Sequence, residues 1–72
     1  MSLLTHAYLL EKYGLRLDMR QLGEVLGLTE GTIYNQISAD RLGVSTYLEG
    51  KKRYADYRDV AAYLDACRQR AA

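Results

Sequence analysis

The chain of 72 residues contains no proline, no tryptophan and no phenylalanine, and it has one cysteine and one histidine. A lone cysteine, Cys67, excludes a disulfide framework and favours a reducing compartment, so we expect a cytoplasmic protein. His6 stands near the opposite end of the chain, and no spacing of Cys and His predicts a zinc site. There is also no glycine-rich phosphate loop. We therefore expect no metal, no cofactor and no enzymatic activity.

Long apolar runs and a strong net charge are missing as well. No apolar stretch approaches the roughly 20 residues of a membrane-spanning helix, and no signal-peptide pattern is present, so we expect no contact with a membrane. The formal net charge of +1 is low for a protein that binds nucleic acid. The charges are unevenly distributed, however, because residues 51–58 contain Lys51, Lys52, Arg53 and Arg58 against the single acid Asp56. This pattern predicts a local basic stripe that can contact phosphates.

Without proline, glycines and capping residues must mark where the helices begin and end. The first predicted helix covers residues 2–13 and ends at Gly14, a residue type that readily takes the left-handed conformation after a helix. The apolar residues of this helix surround it more widely than a single stripe requires. Two interpretations remain open: the helix is well buried in a small core, or part of it forms a homodimer seam.

Residues 18–38 predict two short helices joined by a tight turn. Asp18 is a good N-cap, and Gln21 stands where a capping box places Glu or Gln. Gly27 ends the first helix of the pair, and Thr29 caps the second. Such a helix pair with a glycine turn is the helix-turn-helix pattern, whose second helix can enter a DNA major groove.

Residues 44–55 change to the alternating apolar and polar pattern of β-strands, with a turn at residues 49–51. This hairpin would be a wing that holds the phosphate backbone. Asp56 then caps a last helix over residues 57–70. We therefore predict that residues 1–72 form a single domain that is mainly α with a small β-hairpin: a winged helix-turn-helix with an extra N-terminal helix.

Six groups of residues follow one another in a recognisable order of caps, turn, wing glycine and closing helix. They are Leu17-Asp18, the run from Gln21 to Thr29, Thr32-Ile33-Tyr34, Arg41-Leu42-Gly43, the run from Gly50 to Tyr54, and Asp59-Val60 with Tyr63-Leu64. This order resembles the excisionase/AlpA-type group of small MerR-like winged-helix DNA-binding proteins. The resemblance covers roughly two-thirds of the chain and implies a transcriptional regulator of phage or mobile-element type, or an excisionase-type recombination directionality factor.

The chain departs from that family at several positions. The family usually has alanine where this chain has Gly23, and proline where it has Gly43. In the second paired helix, Asn35 and Gln36 stand where the family usually has a basic and an aromatic residue. Residues 2–14 lie outside the resemblance.

Helical geometry predicts which residues of the second paired helix would contact double-stranded DNA. If Ile33 and Ile37 face inward, a turn of 100° per residue points Gly31, Asn35 and Ser38 outward. An asparagine there could pair with an adenine edge. The predicted DNA-contacting residues are Arg20, Gly31, Thr32, Tyr34, Asn35, Gln36, Lys51, Lys52 and Arg53.

The three basic residues of the hairpin are candidates for contacts with phosphates or the minor groove. Because adjacent side chains of a strand alternate between its faces, we expect Lys51 and Arg53 on one face and Lys52 on the other.

Two other functions remain open. Tyr47, Tyr54 and Tyr57 interleave with the basic hairpin and could stack on single-stranded nucleic acid, although tyrosine also suits a thin core whose side chains reach water. The near-neutral charge and the apolar N-terminal helix instead suit a protein-interaction module, a degenerate winged helix with no DNA role. Salt dependence separates DNA binding from the protein-interaction module, because contacts with phosphates weaken steeply with salt and apolar protein contacts do not.

Overall fold

The computed structural model describes residues 3–71, so the predicted start of the first helix at Ser2 lies outside the described residues. The described part is mainly helical and contains a small antiparallel sheet. Its elements are α1 (Leu3–Tyr13), β1 (Arg16–Asp18), α2 (Met19–Leu26), α3 (Glu30–Ser38), β2 (Tyr47–Glu49), β3 (Lys52–Asp56) and α4 (Tyr57–Ala71). No helix within these residues combines the length and the apolar character that crossing a membrane requires.

The predicted caps of the two central helices are confirmed. The Asp18 carboxylate accepts the backbone N–H of Gln21 at 2.8 Å, and the Gln21 side chain accepts the Asp18 N–H at 3.1 Å, which completes a capping box. Gly27 ends α2 in the left-handed conformation, with φ of 72°. The Thr29 hydroxyl accepts the N–H of Thr32 at 3.1 Å. These bonds satisfy N–H groups that have no partner within their own helix.

The connection between α2 and α3 is tight enough to require a glycine inside α2. A Cβ atom added to Gly23 would lie 2.5 Å from the backbone oxygen of Leu28, a distance that real contacts do not reach. The Leu28 N–H donates to the Gly23 oxygen at 2.9 Å, which holds the turn against the helix. The glycine that departs from the family pattern therefore has a local packing reason.

The sheet has three strands in the order β1-β3-β2, and the sequence analysis missed β1. β3 pairs antiparallel with both neighbours, so it is the central strand. The predicted strand over residues 44–46 is wrong, because β2 begins only at Tyr47. Val44 is buried in the core outside any strand, so its apolar place in the alternating pattern reflects this burial and not a strand. The hairpin turn lies at Gly50 and Lys51, and Gly50 has φ of 64°.

The core collects residues from the helices, from β1 and β3, and from the segment before β2. Its buried residues are Leu9, Leu17, Met19, Leu22, Ile33, Val44, Ala55, Val60 and Ala61. Among the described residues of α1, Leu9 alone belongs to this set, whereas Leu3 and Leu4 are 86% and 83% exposed. The interpretation of α1 as a well-buried helix is therefore wrong. The helix packs mainly against α4, so one side of it is covered and the other is not.

Candidate nucleic-acid interface

A groove of about 250 Å³ lies between the beginning of α2, the beginning of α3 and the tip of the β2–β3 hairpin. We call it the basic groove, and its lining residues are Asp18, Met19, Arg20, Glu30, Tyr34, Lys51, Lys52 and Arg53. Five of the predicted DNA-contacting residues line it: Arg20, Tyr34, Lys51, Lys52 and Arg53. The fold thus brings one cation of α2 together with three cations of the hairpin, although about thirty residues of chain separate them.

The other four predicted contact residues lie on α3 outside the groove lining. Gly31 and Asn35 are exposed, as the inward position of the fully buried Ile33 requires. Thr32 is half-buried, and its hydroxyl lies 2.8 Å from that of Thr29, so it takes part in the helix cap. Gln36 is also half-buried. The α3 surface open to a partner therefore centres on Gly31 and Asn35.

Gly31 has no internal reason to be glycine. A Cβ atom added there meets nothing within 4 Å, and the residue has an ordinary helical backbone. Glycine lowers helix stability relative to alanine, by as much as about 1 kcal/mol in a helix interior. At this exposed position, a glycine leaves room for a binding partner to come close to the backbone of α3.

Most cations of the basic groove form no ion pair among the described residues. Within residues 3–71, Arg20, Lys51 and Lys52 form no ion pair with a carboxylate. Arg53 is half-buried, and its guanidinium donates to the Thr46 hydroxyl at 2.9 Å, which uses one of its five N–H groups. Arg53 is therefore held in place and still has donors to offer a ligand.

The expected separation of the hairpin cations onto two faces stays a prediction for Lys52 and Arg53, which are consecutive residues of β3. Lys51 lies in the turn, where strand alternation does not apply, and Lys52 is the first residue of β3. Both lysines line the groove together with Arg53. The tip of the hairpin therefore contributes three cationic residues to the lining of the groove.

Two carboxylates also line the basic groove. That of Asp18 is engaged with the N–H of Gln21 and serves the cap of α2. That of Glu30 lies in the first turn of α3, where a negative charge is favoured by the helix dipole. The sequence analysis did not include Glu30 among the site residues, although its position next to Gly31 was a signal. Its charge opposes the four cations of the same groove.

Arg58 does not belong to the basic groove, contrary to its place in the predicted stripe. Its guanidinium forms an ion pair with Asp56 at 3.1 Å, and the same carboxylate accepts the Arg58 backbone N–H at 2.8 Å. These contacts hold the pKa of Asp56 below its usual value, the side-chain hydrogen bond from Arg58 being the main cause. Asp56 thus caps α4 as predicted.

Arg16, another residue that the sequence analysis missed, connects the outer strands across the sheet. Its guanidinium lies 3.9 Å from the centre of the Tyr54 ring on β3 and forms an ion pair with Glu49 on β2. The rings of Tyr47 and Tyr54 are 6.2 Å apart on the same face. These contacts orient the hairpin relative to β1, which leads directly into α2. The alternation of Leu15, Arg16, Leu17 and Asp18 was the available signal for this strand.

The three tyrosines that interleave with the hairpin contact neighbouring side chains in the fold. Tyr54 lies beneath Arg16 and beside Tyr47, and the ring of Tyr57 meets that of His6 edge-on at 5.9 Å. Such contacts are typical of tyrosines that pack one end and leave the other in water.

Neither metal geometry nor similarity to known proteins identifies the function. Within residues 3–71, no three side chains of His, Cys, Asp or Glu come together where they could hold a metal ion. Comparisons with protein-family models, with curated proteins and with solved structures find no match for the chain. The basic groove and the exposed side of α3 are the features of the described residues that suit a nucleic-acid interface.

Proposed function

We propose that this chain is a sequence-specific double-stranded DNA-binding protein that folds as a winged helix-turn-helix. In this proposal α2 and α3 are the helix pair, α3 enters the major groove, and the β2–β3 hairpin is the wing. The supporting observation is that four cations from α2 and the hairpin line one groove beside the exposed side of α3. Phosphates on either side of a major groove would meet those cations while α3 meets the base edges.

The proposed contacts are of two kinds: contacts with phosphates, which position the protein on the DNA, and contacts with base edges, which recognise the sequence. Arg20, Lys51 and Lys52 have no carboxylate partner among the described residues and would bind phosphate oxygens. Arg53, fixed by Thr46, would bind phosphate or enter the minor groove. Asn35 is the exposed α3 side chain suited to bidentate pairing with adenine.

The biological role we propose is a small transcriptional regulator of phage or mobile-element type, similar to the excisionase/AlpA group. A recombination directionality factor of the excisionase type would use the same duplex contacts. Both roles begin with recognition of a specific site, so the interface described above serves either.

Fluorescence anisotropy tests the proposal directly. The purified protein is titrated into a labelled random-sequence duplex and into DNA from upstream of its own gene, each at two salt concentrations. We expect binding that weakens steeply with salt and that prefers the upstream fragment. Absence of binding to either duplex at low salt would reject the proposal.

One observation favours a second candidate, a protein-interaction module with a degenerate winged helix. The exposed side of α1 carries large apolar residues, Leu3, Leu4 and Tyr8 among them, at 56% to 86% exposure. Contiguous exposed apolar surface marks interaction sites. Loss of duplex binding at low salt would favour this candidate.

A further inference from the structure

Thr46, in the segment between α3 and β2, bonds one of the hairpin cations. Its Oγ1 accepts a hydrogen bond from Nη1 of Arg53 at 2.9 Å. Both side chains are half-buried, so water competes less for this bond than for one on the open surface. Within residues 3–71, Lys51 and Lys52 form no hydrogen bond or ion pair that would fix their ammonium groups. Arg53 is therefore the hairpin cation whose direction the protein itself sets.

The neighbours of Thr46 in the chain are anchored to the rest of the fold. Val44 is buried and belongs to the core. Gly43 lies against the Tyr63 ring of α4, since a Cβ atom added to the glycine would stand 2.4 Å from Cε1 of that ring. Tyr47 begins β2 and pairs with β3. The hydroxyl of Thr46 is therefore an acceptor on a backbone that is held on both sides.

The bond to Thr46 leaves one complete edge of the Arg53 guanidinium without a partner. Nη1 donates to the threonine, whereas Nε and Nη2 form no hydrogen bond within residues 3–71. The edge formed by Nε and Nη2 carries two parallel N–H groups, the arrangement that binds two oxygens of one phosphate. Arg53 lines the basic groove, so this edge belongs to a residue that a phosphate in the groove would meet.

We propose that Thr46 is a positioning residue for DNA binding, which holds Arg53 so that its Nε and Nη2 bind one phosphate of the duplex. The inference rests on the proposed DNA-binding function and assigns Arg53 to the phosphate backbone. Ordering a long side chain during association lowers affinity, and a side chain that is already held avoids that loss. Thr46 acts through Arg53 and does not itself contact the DNA.

Substitution of Thr46 tests the proposal in duplex-binding titrations. Thr46→Val keeps the branched shape and removes the acceptor, so we expect affinity to fall roughly 3- to 10-fold. The salt slope should stay unchanged, because Arg53 keeps its charge. Thr46→Ser restores the hydroxyl and should bind like the unmodified protein. Ser45→Ala is the matched control, because it removes an exposed hydroxyl one residue away. No loss for Thr46→Val, or an equal loss for Ser45→Ala, would overturn the proposal.

A double-mutant cycle shows whether Thr46 acts through Arg53. Thr46→Val is made both in the unmodified protein and in the Arg53→Ala protein, and duplex affinity is measured for all four chains at one salt concentration. We expect the threonine substitution to lower affinity only where Arg53 is present. The same fold loss in both backgrounds would overturn the proposal, because Thr46 would then act independently of Arg53.

Nuclear magnetic resonance tests the positioning in the protein without DNA. The heteronuclear NOE at Nε reports how rigidly each arginine side chain is held. We expect a higher value for Arg53 than for the exposed Arg68, and Thr46→Val should lower the Arg53 value to that of Arg68. A low value for Arg53 in the unmodified protein would overturn the positioning even if the duplex is bound. A high value together with no duplex binding at low salt would reject the proposed function, and with it the role of Thr46 in DNA binding.

Discussion

Replacing Arg53 with alanine should lower affinity for every duplex sequence and reduce the salt dependence of binding. The basic groove contains four cations, Arg20, Lys51, Lys52 and Arg53. If each neutralises one phosphate, the plot of log affinity against log salt has a slope of about −3.6, and the variant has a slope of about −2.7. Between about 50 and 200 mM salt, the unmodified protein would lose about 150-fold in affinity and the variant about 40-fold.

Fluorescence anisotropy with a random-sequence duplex over a series of salt concentrations measures both slopes. Arg68→Ala is the matched control, because it removes the same charge from an exposed position on α4, which does not line the groove. Arg53→Lys retains the charge and should retain the slope, although it loses the planar guanidinium that bonds Thr46. Thermal denaturation of each variant shows whether the hairpin remains folded.

An unchanged slope for Arg53→Ala would refute the placement of Arg53 on the phosphate backbone. A reduction of equal size for Arg68→Ala would also refute it, because the effect would then reflect net charge alone.

The Glu30→Gln substitution should change duplex affinity in the opposite direction. It removes a negative charge from the same groove, so we expect tighter duplex binding at low salt. Weaker or unchanged binding would argue that Glu30 lies away from the DNA.

Three further predictions concern base reading, packing and pH. Asn35→Ala should reduce the preference for one base pair of the bound site by about 1–3 kcal/mol and leave the affinity for a random duplex nearly unchanged. Competition with single-base variants of the bound site measures this preference. Gly23→Ala should lower the free energy of unfolding by about 1–3 kcal/mol, because the new Cβ would meet the Leu28 oxygen at 2.5 Å, and an unchanged melting temperature would contradict the packing argument. Arg58 lowers the folded-state pKa of Asp56. The stability that this carboxylate contributes is therefore complete above its unfolded pKa of about 4 and is lost as the pH falls through the lowered folded-state pKa. Asp56→Asn should therefore reduce the acid sensitivity of the melting temperature between about pH 2 and pH 5, and an identical pH profile would refute the assignment.

Several parts of the fold could be predicted because their causes are local. The cap at Asp18 needs only Gln21 three residues later, and the cap at Thr29 bonds the N–H of Thr32. Gly14, Gly27 and Gly50 each took the positive φ that their place at a helix end or turn requires. The inward position of Ile33 also followed from helical period alone.

Other parts could not be predicted because distant residues decide them. β1 is three residues long and exists because β3 pairs with it, and Arg16 gains its role only through contacts with Tyr54 and Glu49. The alternating pattern at Val44 indicated a strand, but this residue is buried in the core ahead of β2, outside the sheet. Local pattern cannot separate these outcomes, since both place an apolar residue inward.

The caps of the two central helices follow from the sequence alone, because hydrogen bonds between residues three or four apart form them. The exposed side of α3 follows from the sequence in the same way, through the helical period. The packing of the elements places Arg20 in one groove with the hairpin cations Lys51, Lys52 and Arg53, and it binds Arg58 to Asp56 outside that groove. It also buries Leu9 of α1 and leaves Leu3, Leu4 and Leu10 exposed. These outcomes depend on how the elements pack against one another, and packing joins residues that are far apart in the chain.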